Sequence, residues 1–140
     1  MPLPKFKSLC EEKQKEIVSR DKGSRIEHRA INAKQAFVTH YKIDGEVIKC
    51  GLRCDFLIMN EDAHTAYLIE LKNSDLSHAA EQLINTKIVL ENELKGYNLH
   101  FRAILSKVVT AEARSTSVKK LMRESKGQFK YESRRMTEPI

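Results

Sequence analysis

Two short apolar segments in the middle of the chain restrict its possible folds more than any other feature. Residues 53–59 read RCDFLIM and residues 65–72 read TAYLIELK, and the intervening NEDAH favours a turn. In both segments apolar side chains occupy successive positions, so they would lie on both faces of a strand. Strands of this kind form the centre of a sheet that is covered on both sides. The sequence therefore predicts a layered α/β domain around these two strands.

Further elements are expected on either side of this centre. A strand is predicted at 36–43, and the Asp44-Gly45 pair favours a hairpin whose second arm is 46–49. Short helices are predicted around 8–19 and at 25–31. After the centre we expect a helix at 76–94 capped by Asp75 or Ser74, a strand at 98–109, a helix at 111–126 capped by Thr110, and an edge strand at 128–134 before a short tail. This order is typical of an α/β domain in which helices flank a central mixed β-sheet.

At 140 residues the chain is long enough for one domain with a real core. We divide it into a charged N-terminal extension (1–22), a core (23–109) and a basic C-terminal helix and strand (110–140). No apolar stretch approaches the roughly 20 residues of a membrane span, and the first residues lack the apolar run of a signal peptide. The three cysteines form neither a disulfide framework nor a zinc pattern. We therefore expect a cytoplasmic protein without a membrane partner.

The balance of charge favours a polyanionic partner. Lys and Arg outnumber Asp and Glu by 25 to 19, which gives a formal charge of +6, and nucleic acid is the first candidate for such a surface. The C-terminal cluster supplies Lys119, Lys120 and Arg123 as candidate phosphate contacts, and Arg102 on the preceding strand is another. A solvated helix face without a ligand explains the C-terminal cluster equally well.

Charged residues at the ends of the two central strands indicate a reactive site. Asp55 lies near the start of one strand, whereas Glu70 and Lys72 are two residues apart at the end of the next and should share a face. Two carboxylates from neighbouring strands are ligands suited to Mg²⁺ or Mn²⁺, and the backbone carbonyl of Leu71 would add a third. Lys72 would orient or deprotonate an attacking water and offset charge on a phosphate.

Simpler roles are open for each of these residues. Glu70 and Lys72 would also be compatible with a solvated ion pair, which contributes under about 1 kcal/mol. Asp55 would also be compatible with accepting turn amides or pairing with Arg53. The apolar run before Glu70 favours the reactive site, because a buried strand rarely ends in unpaired charge without a function.

The pattern of Asp55, fourteen residues and then Glu70-Leu71-Lys72, followed at once by the helix of SDLSHAAEQL, resembles the PD-(D/E)XK nuclease superfamily. The resemblance covers about residues 23–109. It implies a restriction-endonuclease-like core and divalent-metal-dependent hydrolysis of phosphodiester bonds, by an endonuclease or an exonuclease. It also implies Mg²⁺ or Mn²⁺ as cofactor and nucleic acid as partner, DNA in preference to RNA.

Two further residues enter through the same resemblance. Glu27 resembles an acid that these nucleases often carry on their first helix, where it helps to hold the metal. Gln82 resembles a glutamine that some branches place on the helix after the lysine, and it would contact the nucleic acid; the tyrosine expected four residues later is Thr86 here. Length and the approach to Glu27 also resemble the Holliday-junction resolvases, which act as dimers. Because the chain has little material beyond the core, target choice would depend on DNA shape, on the geometry of a homodimer or on a partner protein.

A different class of protein would share this fold. A non-catalytic module with a nuclease-like fold would bind nucleic acid or another protein without cutting. The presence of Asp55, Glu70 and Lys72 together favours the enzyme, because a decayed site usually loses one of its residues.

Overall fold

A computed structural model describes residues 3–71, 74–107 and 114–140 of the chain. In these residues the elements follow one another as β1 (Glu16–Ser19), β2 (Glu27–Ile31), β3 (Val38–Lys42), β4 (Phe56–Asn60), β5 (Thr65–Leu71), α1 (Leu76–Val89), β6 (Asn98–Leu105), α2 (Thr116–Glu124), β7 (Phe129–Ser133) and β8 (Arg135–Pro139).

The strands form two mixed sheets. A five-stranded sheet has the order β3-β4-β5-β6-β7, and a three-stranded sheet has the order β1-β2-β8. In the larger sheet β3, β4 and β5 are antiparallel neighbours, whereas β6 and β7 run parallel to β5. The parallel pairs follow from the helices, because α1 and α2 carry the chain back to the starting edge of the sheet. The expected α/β class with a mixed sheet is confirmed.

The central strands are covered on both faces, but by different layers. Leu57 and Leu68 belong to a core shared with the buried side of α1, including Leu83. Their strand neighbours Ile58 and Ile69 belong to a second core, which the three-stranded sheet closes with residues such as Ile17, Ala30 and Met136. The apolar runs of the sequence are therefore explained by a sheet with helices on one face and a smaller sheet on the other.

Both helices begin at a side-chain cap. Asp75 caps α1 by accepting the amide of His78, and Ser115 caps α2 by accepting the amide of Val118. The α1 helix ends at Val89 rather than at 94, and the following turns lead into β6. Thr110, the expected cap of the second helix, lies outside the described residues. Within the part of the chain that the structure describes, no helix has the length and apolar character needed to cross a membrane.

In the N-terminal third, the strand expected at 36–43 is confirmed as β3, but the two helix predictions were wrong. Residues 8–19 and 25–31 contain strands β1 and β2 instead of helices, because β2 pairs with β1 on one side and with β8 on the other. The expected hairpin arm at 46–49 is a compact turn, in which the amides of Val47 and Ile48 both donate to the carbonyl of Ile43. The expected C-terminal tail is strand β8, which completes the smaller sheet.

Buried His40 should make stability depend on pH. Its Nε2 lies 2.9 Å from the hydroxyl of Ser19, its ring stacks on Phe56, and burial and the nearby His28 lower its pKa from 6.5 to about 4. Because an unfolded histidine takes up its proton near pH 6.5 and the folded one only near pH 4, acidification through this range favours unfolding. We expect a loss of about 3 kcal/mol from this residue. Urea unfolding of wild type and His40→Gln at pH 7 and 4.5 measures it, and an equal loss in both proteins would contradict the assignment.

Candidate functional site

Asp55 and Glu70 lie opposite each other where β4 begins and β5 ends. Phe56 pairs with Ile69 in the antiparallel register, so the next pair outward is Asp55 with Glu70. The amide of Asp55 donates to the Ile69 carbonyl at 3.0 Å, and the amide of Leu71 donates to Asp55 Oδ2 at 2.8 Å. Glu70 follows Leu68 by two residues and therefore points to the face that α1 covers.

The two carboxyl groups are close enough to perturb each other strongly. Glu70 is only 4% exposed, and its Oε1 is buried without a hydrogen-bond partner in the described residues. Burial, the charge of Asp55 and a hydrogen bond with Asp55 hold the pKa of Glu70 far above its usual range. Burial also raises the pKa of Asp55, although the Leu71 amide opposes this. The pair therefore retains a proton near neutral pH and would favour a cation in its place.

Other acids increase the negative potential at this end of the sheet. The charge of Asp44 raises the pKa of both Asp55 and Glu70, and that of Asp21 raises the pKa of Asp55. Asp44 is itself paired with Arg53, whose Nε lies 2.6 Å from Asp44 Oδ1. The sequence had suggested Asp44 only as a hairpin residue. Its place after β3, whose Lys42 pairs with Phe56 of β4, brings it near the start of the neighbouring strand.

The two carboxylates suit Mg²⁺ better than a metal ion that takes all of its ligands from the protein. Within residues 3–71, 74–107 and 114–140, no three side chains among His, Cys, Asp and Glu converge closely enough to hold a metal. Mg²⁺ is usually held by one or two carboxylates, with waters and substrate phosphates as the other ligands. Asp55 and Glu70, with one carboxylate oxygen lacking a donor, match that arrangement.

The other residues predicted near the two acids are Lys72, Leu71 and Gln82. Lys72 lies outside the described residues, so its role as base or water-orienting group stays a prediction. Leu71 ends β5 and contributes its amide to Asp55; the use of its carbonyl as a ligand also stays a prediction. Gln82 of α1 lies beside the acids. Its Nε2 donates to the Arg53 carbonyl at 3.1 Å, and a hydrogen bond between its side chain and Glu70 opposes the rise in the pKa of Glu70.

Glu27 does not occupy the expected position on a helix. It begins strand β2 of the smaller sheet, where it is 2% exposed. Its carboxylate lies 3.0 Å from Arg29 Nε and 3.7 Å from guanidinium nitrogens of Arg20 and Arg135. Three cations already neutralise this acid, so a role in holding metal does not fit its contacts.

Arg102 does not fit the expected contact with nucleic acid. It is 2% exposed, and its Nε and Nη2 donate to the two oxygens of Glu138 at 2.7 and 3.0 Å. Its Nη1 donates to the carbonyls of Phe101 and Gln128. The guanidinium is therefore fully engaged inside the protein. No local pattern around Arg102 could predict this contact, because Glu138 is 36 residues away.

The other basic candidates lie on the surface. Lys119, Lys120 and Arg123 are exposed on α2. This helix packs beside α1, where Ser117 Oγ donates to Glu81 Oε1 at 3.2 Å. The side chains of Lys119, Lys120 and Arg123 are accessible to a phosphate backbone, as the prediction from the sequence requires, and they are equally accessible to solvent.

Comparisons of the chain with protein-family models, with curated proteins and with solved structures found no match.

Proposed function

We propose that the chain is a Mg²⁺- or Mn²⁺-dependent nuclease of PD-(D/E)XK type that hydrolyses phosphodiester bonds, in DNA rather than RNA. The observation that carries the proposal is the facing pair of Asp55 and Glu70 at the strand ends, with Glu70 Oε1 buried and unpartnered among the described residues. Ionisation of both carboxyl groups in this position would be costly to folding unless a cation binds them, so a cation would replace the proton that the pair otherwise holds. The alternation of sheet and helix around the pair supports a restriction-endonuclease-like core.

The residues of the site would divide the reaction between them. Asp55 and Glu70 hold the ion, with the Leu71 carbonyl as a further ligand. The ion would polarise the phosphate and activate the attacking water. Lys72 would orient that water or accept its proton. Lys119, Lys120 and Arg123 would contact phosphates without reading sequence, which makes binding strongly dependent on salt. A homodimer or a partner protein would select the target, and the cytoplasm is the proposed location.

A cleavage panel tests the proposal directly. The full chain is incubated with supercoiled plasmid, a four-way DNA junction and RNA, each with Mg²⁺, Mn²⁺ or EDTA. We expect nicking or cutting of at least one DNA substrate with a divalent ion and none with EDTA. Absence of cleavage with every metal and substrate would contradict the nuclease proposal. Retained DNA binding in that case would favour the non-catalytic binding module.

A further inference from the structure

The three residues that precede Asp55 are each held by a polar side chain of α1. Asn85 Nδ2 donates to the carbonyl of Leu52, and Gln82 Nε2 donates to the carbonyl of Arg53 at 3.1 Å. The amide of Cys54 donates to the hydroxyl of Thr86 at 2.8 Å. Consecutive backbone groups of residues 52–54 are thus bound to a single helix immediately before the acid.

The spacing of the three side chains suits this task. Positions 82, 85 and 86 are separated by three and four residues, so they lie together on one side of α1. Thr86 is completely buried, and its hydroxyl accepts from Cys54 while donating to the carbonyl of Gln82 at 2.8 Å. A helix that only needed to fill the core would place an apolar side chain there, because a buried hydroxyl requires partners.

The stretch that these side chains hold lies outside the strands. β4 begins only at Phe56, and residues 50–54 belong to no strand. The next element after β5, the strand that carries Glu70, is α1. The helix that follows Glu70 therefore also fixes the segment that carries Asp55, which links the positions of the two carboxylates.

We infer that Gln82, Asn85 and Thr86 are positioning residues that hold the Asp55 carboxylate opposite Glu70. The chemical purpose of this arrangement rests on the proposed function, since a shared divalent ion requires both acids at a fixed separation. The inference that these side chains fix the position of Asp55 does not depend on the proposed function. Gln82 then acts on the site through the Arg53 backbone and through its hydrogen bond with Glu70.

The position of Asp55 is measured through the amide of Leu71, which donates to Asp55 Oδ2 and so reports on that carboxylate. In Thr86→Val the Cys54 amide loses its acceptor while side-chain shape is retained. We expect hydrogen exchange of the Leu71 amide to become about tenfold faster, and that of the Phe101 amide, bound to the Gln128 carbonyl, to stay unchanged. Thr86→Ser should restore slow exchange, and Asn92→Ala, an exposed amide beyond α1, should have no effect.

A second measurement uses Mn²⁺ alone and separates the two proposals. Calorimetric titration should give an affinity about tenfold weaker in Thr86→Val than in wild type or Thr86→Ser. Unchanged Leu71 exchange in folded Thr86→Val overturns the positioning inference. Faster Leu71 exchange with no Mn²⁺ binding by wild type supports the positioning and contradicts the proposed function. If Thr86→Val does not fold, Asn85→Ala takes its place, with the same expected acceleration and the same overturning result.

Discussion

Asp55→Asn is expected to abolish metal-dependent cleavage while the domain stays folded. Asparagine has the size of aspartate and keeps an oxygen that can accept the Leu71 amide, so the hydrogen bond at 2.8 Å survives. The substitution removes one negative charge from the proposed metal ligands. Loss of a preorganised charged group at a reaction centre lowers rates by on the order of 10³-fold.

The same variant should be at least as stable as the wild type. Burial and the charge of Asp55 raise the pKa of Glu70, so the folded protein holds a proton that the unfolded chain releases near neutral pH. Asn at position 55 removes the charge that raises this pKa, so we expect an unchanged or higher thermal midpoint. Gain of stability with loss of activity is typical of residues kept for function. Plasmid cleavage and thermal unfolding measure these two effects.

A charge-matched control separates the site from general electrostatics. Glu91→Gln removes one negative charge from an exposed position after α1 and should leave cleavage unchanged. Cleavage by Asp55→Asn at the wild-type rate would contradict the assignment of Asp55. Loss of its native circular dichroism signal would point instead to a structural role for the acid.

The centre of the fold could be predicted because its signals are local. The apolar runs that form β4 and β5 are separated by a short turn, which allows only an antiparallel pair. The register of that pair places Asp55 and Glu70 at opposing backbone positions. Helix α1 was equally clear, because Asp75 caps it and its apolar positions recur on one side.

The smaller sheet could not be predicted, because its pairing is not local. Residues 25–31 were predicted to form a short helix, yet β2 in this segment lies between β1 and the last strand of the chain. Glu27 is buried because arginines from three segments surround it. A pattern read along the chain shows the charge of such a residue and does not show its partners.

Glu138→Gln should destabilise the protein more than any surface substitution. Glu138 accepts from Arg102 Nε and Nη2 and lies 2.6 Å from His28 Nε2, and both partners are buried. Glutamine removes the charge and one acceptor, which leaves the Arg102 guanidinium without a counterion inside the protein. Breaking such a pair costs about 3–5 kcal/mol, or about 10–20 °C in thermal midpoint for a domain of this size. Glu132→Gln, an exposed acid on β7, is the matched control and should have little effect.

The interaction between Glu138 and Arg102 should also make the stability of the protein depend on pH. Burial opposes the charge of Glu138, but hydrogen bonds from His28 and Arg102 outweigh it and lower its pKa from 4.5 to about 2. The unfolded chain takes up this proton near pH 4.5 and the folded one only near pH 2, so its stabilisation is present above that range and lost on acidification through it. Glu138→Gln should lack this part of the acid dependence in urea unfolding.

The double variant Arg102→Met, Glu138→Gln should recover much of the lost stability, because no buried guanidinium remains uncompensated. A double variant as unstable as the sum of its single variants would show that the two side chains act independently.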